Sequence, residues 1–229
     1  MGSMSGFWTI FWAKLSEFLP NLLVGFEVTL IVAAGSFVIA MSLGLLLAIA
    51  RQSQNRWASV PAGIYIEFIR GTPALTQLFI IYFGLAQLGF SLPGLVAAIA
   101  GLGLNGAAYV AEIFRAGLQA VPDGQRQAAI SLGLTPYQTF RHIRIPQAVK
   151  LMMPAFCNYA IQLLKDTSLA SVVAAPEVMF RARALVMETY LSMQIYVLVG
   201  LMYLSISIPL SILAGRLQRR TVKMAGAAA

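Results

Sequence analysis

The stretch that most constrains this chain is the apolar run over residues 21–50, closed by Arg51, Gln52, Ser53, Gln54, Asn55 and Arg56. A helix needs about 20 apolar residues to cross a bilayer core. This run is longer than that and crosses with tilt. Similar runs follow at 62–88, 94–118, 147–165 and 190–214. Hydrophobic residues make up 59% of the 229 and charged residues 10%, against about 25% charged in a soluble domain. The chain is therefore expected to be an all-α integral membrane protein of five transmembrane helices. Residues 20–215 form its single membrane domain.

The flanks follow from local composition. Met1-Gly2-Ser3 ahead of Met4 reads as an appended tag. Residues 5–18 mix Phe7, Trp8, Phe11, Trp12 and Phe18 with Lys14, Ser16 and Glu17, which suits an amphipathic helix in the membrane interface. Region 1–19 is thus expected to lie apart from the first span, which Pro20 opens. Residues 216–229 form a basic tail ending in MAGAAA, expected to fray.

A net charge of +8 and a pI near 10.0 raise the question of nucleic acid. No cluster of basic and aromatic residues forms such a surface. The basic residues instead flank spans on one side: Arg51 and Arg56, then Arg115 to Lys150, then Arg216 to Lys223. The positive-inside rule puts that side in the cytoplasm, with the N-terminus outside and the C-terminus inside. The lone Cys157 and lone His142 supply neither a disulfide framework nor a metal cluster. An odd span number and unlike halves argue against an inverted-repeat carrier.

Two interruptions carry the most information. Gly71-Thr72-Pro73 breaks the second apolar run; proline frees a backbone carbonyl there, and Thr72 can help satisfy the freed groups. Residues 121–154 are the longest polar stretch. Asp123 is expected to cap a helix over 124–132, and Gly133 to end it in the left-handed conformation. Thr135, Pro136 and Gln138 read as a capping box opening a second helix. Ile145, preceding Pro146, should end that helix in extended geometry. Ala128, Ala129 and Leu132 should make a shallow apolar face, a knob for a groove in another protein. Later, Pro176-Glu177 reads as the start of a short helix, with the acid in its first turn.

The string Gln127-Ala128-Ala129, three residues, Gly133, nine residues, Ile143, Arg144, Ile145, Pro146 resembles the cytoplasmic "EAA" signature of permease subunits of bacterial ATP-binding-cassette importers. Gln127 stands where the family has glutamate, and Ile145 where it has leucine. Phe68 to Pro73 with Gln77-Leu78, Gly25 with Thr29-Leu30, Val121-Pro122 with Gly124-Gln125, and Leu164 to Leu169 are similar to the polar amino acid uptake branch (histidine, glutamate, glutamine, arginine, opines). The resemblance covers nearly all of 20–220. It implies a type I importer fold with short coupling helices between spans 3 and 4. It further implies two permease subunits, identical or homologous, two ATPase subunits beneath them and an external substrate-binding protein. Residues Gln127, Ala128, Ala129, Leu132, Gly133, Ile143 and Pro146 would dock the ATPase. The chain itself holds no G-x-x-x-x-G-K-[ST] phosphate loop, so ATP and Mg are expected on the partner and no cofactor on this chain.

Polar side chains within spans usually face a cavity or a bundle interior. Asn158, Gln162 and Asp166 share one face of the fourth span, and Asn105, Tyr109 and Glu112 one face of the third. With Thr72 and Gln77 they are the candidate solute path. Structural roles compete for several: Glu67 with Arg70, Glu112 with Arg115, and Asp166 as a cap or a partner of Lys165. The expected function is a permease subunit carrying polar amino acids by alternating access, with no catalytic residue or metal of its own. An autonomous ion-coupled carrier or channel would read the same intramembrane acids as ion sites. A non-transporting membrane scaffold would use the basic loop only to recruit a partner.

Overall fold

The computed structural model describes residues 4–226, and all of its regular structure is helical. The expected tag lies outside the described residues. Helix α1 spans Met4–Arg51 without interruption, so Pro20 does not open a new helix. Its missing N–H is one lost bond in a ladder held on both sides. Phe18 and Leu22, flanking Pro20, pack with Phe11 against Val178, Ala182, Ile195 and Val199. Trp12 stays exposed.

Helix α2 (Arg56–Arg70) starts at Asn55, whose side chain accepts from the Trp57 N–H. It gives way to α3 (Ala74–Phe79), a π-helical turn over Ile80–Gly84, and α4 (Leu85–Gln87). The two halves meet at 106°. The Gly71-Thr72-Pro73 interruption is therefore a sharp corner, well beyond the kink that a proline alone produces. Helix α5 (Gly94–Gln119) runs through the centre, along α1 and against α8. Its small residues Ala97, Ala98, Gly101, Gly103, Gly106, Ala107 and Ala108 are buried, which lets backbones approach where lipid offers no hydrophobic drive between helices.

The polar stretch holds α6 (Asp123–Ser131) and α7 (Pro136–Gln138), then a π-helical segment over Thr139–Arg144 that runs directly into α8 (Ile145–Asp166). The extended break expected at Ile145 is absent: its φ and ψ are −57° and −51°. A π-turn shifts the hydrogen-bond register and widens the helix, so Pro146 fits without ending it. A 3₁₀ turn over Thr167–Val173, α9 (Val178–Thr189) and α10 (Ser192–Gly226) complete the chain. Helix α10 carries the basic residues from Arg216 onward, so no separate tail begins there among the described residues.

Three helices are long and apolar enough to cross a membrane, and the bent pair α2 with α3–α4 makes a fourth candidate. Helix α8 has the length but not the apolarity, because it carries Lys150, Asn158, Gln162, Lys165 and Asp166. The chain is a multi-pass membrane protein in which α8, with polar residues along its length, packs against both α5 and α10.

Candidate functional site

The polar loop is ordered by its own caps. Gly133 has φ +78°. The N–H of Leu134 reaches the carbonyl of Ala129 at 3.1 Å, and that of Gly133 reaches Ile130 at 2.9 Å. This paired closure of a helix end requires the left-handed residue that glycine adopts without strain. The capping box at Thr135 and Gln138 is formed in both directions, at 3.2 and 2.9 Å. Asp123 differs from expectation: Pro122 is the N-cap, and Asp123 lies in the first turn, where its charge suits the helix dipole.

The loop is also tied to the bundle. The Arg144 guanidinium donates to the Leu118 carbonyl at 3.0 Å, and Gln147 to Gln125 at 3.3 Å. The expected apolar knob is divided. Ala129 is buried, Ala128 is exposed and Leu132 is 82% exposed. Tyr137, Ile130 and Phe140 are exposed as well. Gln127, Gly133 and Pro146 are exposed and Ile143 is half-buried. Between α6 and the π-turn lies a notch of about 210 Å³ lined by Arg126, Ile130, Pro136, Thr139, Phe140 and Arg144. The Thr139 hydroxyl beside it is buried without a hydrogen-bond partner.

The intramembrane candidates separate into three places. The first is a cavity of about 290 Å³ between α5 and α8, lined by Ala74, Leu102, Asn105, Tyr109, Tyr159, Gln162, Leu163 and Asp166. It joins the two polar faces read from the sequence. Gln162 donates to the Asp166 carboxylate at 2.9 Å, so Asp166 caps no helix with its side chain. Asn158 is exposed and does not line the cavity. Tyr159, which the sequence reading passed over, does. It is one turn before Gln162, and that spacing was its only signal.

The second place is the corner after α2. Thr72 Oγ1 donates to the Phe68 carbonyl at 3.0 Å. The Gln77 amide donates to the Ile69 carbonyl at 2.9 Å and to Thr72 Oγ1 at 2.7 Å. Both residues thus satisfy backbone that the break exposes. Gln77 Oε1 also accepts from Asn105 at 3.0 Å, which links the corner to the cavity wall.

The third place is a cavity of about 320 Å³ lined by Arg51, Gln52, Glu67, Glu112, Arg115 and Gln119. Here Glu112 accepts from Arg115 Nε at 3.0 and 3.1 Å, and Arg115 Nη1 donates to Gln119 at 2.8 Å. Glu67 and Arg70 form no direct ion pair; Arg70 lies over the Tyr109 ring, 5.9 Å from its centroid.

A fourth polar centre differs from the expectation. Glu177 is the N-cap of α9 rather than a first-turn residue, and it is fully buried. Its carboxylate accepts from the N–H groups of Met179 and Phe180 at 2.9 and 2.8 Å, and from the Tyr203 hydroxyl at 3.3 Å. Thr29 Oγ1 is 3.4 Å from the same carboxylate and accepts from the Val178 N–H at 3.2 Å. Gly25 makes this junction possible, since a Cβ there would be 2.9 Å from the Val178 Cα. Among the described residues no group of three or more metal-ligating side chains occurs.

Comparisons with known proteins agree in kind. Residues 40–223 match the family described as binding-protein-dependent transport system inner membrane component. A probable amino-acid ABC transporter permease protein of Sinorhizobium fredii is 39% identical over 195 residues, 85% of this chain and 84% of that one. The arginine transport system permease protein of Bacillus subtilis is 36% identical over 203 residues, 88% and 93% of the two chains. A crystal structure of an amino acid ABC transporter with histidines superposes with a TM-score of 0.87 at 36% identity, covering 91% of this chain and 97% of that one.

Proposed function

The chain belongs to the family of binding-protein-dependent transport system inner membrane components, and from that premise we infer that it lines the path of an ATP-driven importer for polar amino acids or close analogues. It is a transport subunit, and ATP is hydrolysed by a separate ATPase subunit. The observation that carries the solute reading is the cavity between α5 and α8. It offers amide, phenol and carboxylate groups from two helices within about 290 Å³. A zwitterion needs both donors and acceptors, and Asn105, Tyr109, Gln162 and Asp166 supply them. A relative named for arginine, and a neighbour holding histidines, favour the same solute class.

In this reading α8 completes the path as a fifth span, its polar side chains turned from lipid. The loop end of the bundle is cytoplasmic, the N-terminus lies outside, and the membrane is the bacterial inner membrane. The membrane-embedded part runs from about 20 to 215, inside α1 and α10, which continue past both limits. Two permease subunits enclose the path, and an external binding protein delivers the solute. The ATPase, carrying ATP and Mg, docks on α6 and the turn after it through Gln127, Ala128, Leu132, Gly133, Ile143 and Pro146. Ala129 supports that surface from inside. With glutamine at 127, docking rests on shape and apolar contact more than on charge. Glu112, Thr72 and Gln77 support the path without touching solute in the α5–α8 cavity, and Asn158 stands on its margin.

The test is reconstitution of the chain with its ATPase and binding protein in liposomes, with uptake of labelled arginine, glutamine and histidine. ATP-dependent uptake of at least one, weakened by Gln162→Ala and Asp166→Asn, is the expected result. Uptake by the chain alone, driven by an ion gradient and indifferent to ATP, would overturn the reading in favour of an autonomous carrier.

A further inference from the structure

The cavity around Arg51 is not part of the α5–α8 cavity, yet it lies along the same face of α5. Asn105 and Tyr109 line the first; Glu112 and Gln119, further along that helix, line the second. The Arg70–Tyr109 contact marks the boundary. Tyr109 lines the first cavity, and Glu67, one turn before Arg70, lines the second. The second cavity therefore comes next toward the loop end of the bundle.

Its charges are arranged unusually. All six lining side chains are charged or carry an amide. Arg115 is committed to Glu112 and Gln119. Gln52 uses its amide nitrogen on the Ala48 carbonyl at 3.2 Å. Arg51 and Glu67 remain. Among the described residues neither side chain makes a hydrogen bond or an ion pair, and they do not pair with each other although they line one cavity. The Arg51 guanidinium is seated on α2 at Gly63, where a Cβ would be 3.0 Å from its Cζ. Arg51 and Glu67, both exposed at this cavity, are a cation and a carboxylate that feel Glu112 and Arg115 through space without a hydrogen bond, and together they are complementary to a ligand with both charges. The two arginines and two glutamates also cancel, so the cavity does not favour a simple anion such as a phosphate.

We propose that this cavity is a second solute site, a release station at which Arg51 binds the carboxylate and Glu67 the ammonium of an amino acid leaving the first cavity. The proposal rests on the reading that the chain carries amino acids. It explains why Arg115 is clamped from both sides: Glu112 and Gln119 keep it from pairing with Glu67, whose carboxylate stays open for the solute.

The test uses the purified permease–ATPase complex without the binding protein. Labelled arginine and glutamine are the probes, and equilibrium dialysis counts sites per permease chain. Two sites are expected in the unaltered complex. Arg51→Gln should remove one, and Asp166→Asn should weaken the other. Gly63→Ala keeps the charge but unseats the guanidinium, and should lower affinity at the second site by about tenfold, equivalent to about 1.4 kcal/mol. It serves where Arg51→Gln fails to assemble. Glu67→Gln should abolish discrimination between the free amino acid and its N-acetyl derivative at that site. One site only, lost in Asp166→Asn and untouched by Arg51→Gln and Gly63→Ala, would overturn the second site and leave the importer reading standing. No binding of either probe, together with no ATP-dependent uptake, would overturn the importer reading, and the second site with it.

Discussion

The two late interruptions between long helices, residues 120–144 and 167–191, satisfy their polar groups in opposite ways. In the first, each helix end is closed by its nearest neighbours in sequence: Gly133 and its two bonds back to α6, then the Thr135–Gln138 box. The apolar side chains Leu132, Tyr137, Ile130 and Phe140 face outward. In the second, the chain turns inward. Thr167, Ala170, Val173, Ala175, Glu177 and Val178 are buried, and Glu177 joins α1, α9 and α10 through Thr29 and Tyr203. The first half of that segment is finished by the rest of the fold, while Met187 and Tyr190 at its far end stay exposed. The other segment is rigid but uncovered, the state expected of a surface that a partner completes.

The largest effect should come from the inward segment. Glu177→Ala strands two α9 N–H groups and takes an acceptor from the Tyr203 hydroxyl in an apolar junction, while Thr29 keeps the Gly25 carbonyl. Stranded buried donors cost about 1–3 kcal/mol each where nothing replaces the partner, so a loss of roughly 3 kcal/mol is expected. For a chain of this size that is roughly a 10 °C lower melting temperature in detergent. Glu177→Gln keeps one acceptor and should lose less. An equal drop from a change in the outward segment would erase the contrast.

Leu132→Glu should leave the melting temperature of the isolated chain unchanged, because the side chain touches little of its own subunit. It should weaken ATPase association by about tenfold or more, about 1.4 kcal/mol; titration of the ATPase in a pull-down measures it. Gly133→Ala comes next. A Cβ there meets nothing, so the change carries only the left-handed backbone penalty, about 1 kcal/mol. Thr135→Ala is smallest, losing one exposed cap at roughly 0.5–1 kcal/mol. Both should appear as melting shifts of a few degrees at most.

What was legible in the sequence follows the same division. The loop's caps are local, so Gly133, Thr135 and Gln138 could be read from spacing alone. The polar faces of α5 and α8 were legible from helical periodicity, and the cavity between them brings together Asn105 and Tyr109 of one with Gln162 and Asp166 of the other, leaving out Glu112 and Asn158. Errors arose where packing overrules a local rule. Pro20 lies between Phe18 and Leu22, whose burial accompanies an α1 that continues through it. Pro146 is absorbed by a π-turn that has no sequence signature. Ala128, Ala129 and Leu132 read as one apolar face, yet the turn packed on α6 buries Ala129. The 106° corner and the Glu177 junction depend on partners distant in sequence, Asn105 for Gln77 and Thr29 and Tyr203 for Glu177.

The contrast between the segments is tested most directly by amide hydrogen exchange on the permease with and without its ATPase. Residues 123–144 should gain protection when the ATPase is added, while residues 167–191, already closed by α1 and α10, should not change. Exchange in 123–144 that is indifferent to the ATPase, in a complex shown to have assembled, would contradict the assignment of the outward segment as the docking surface.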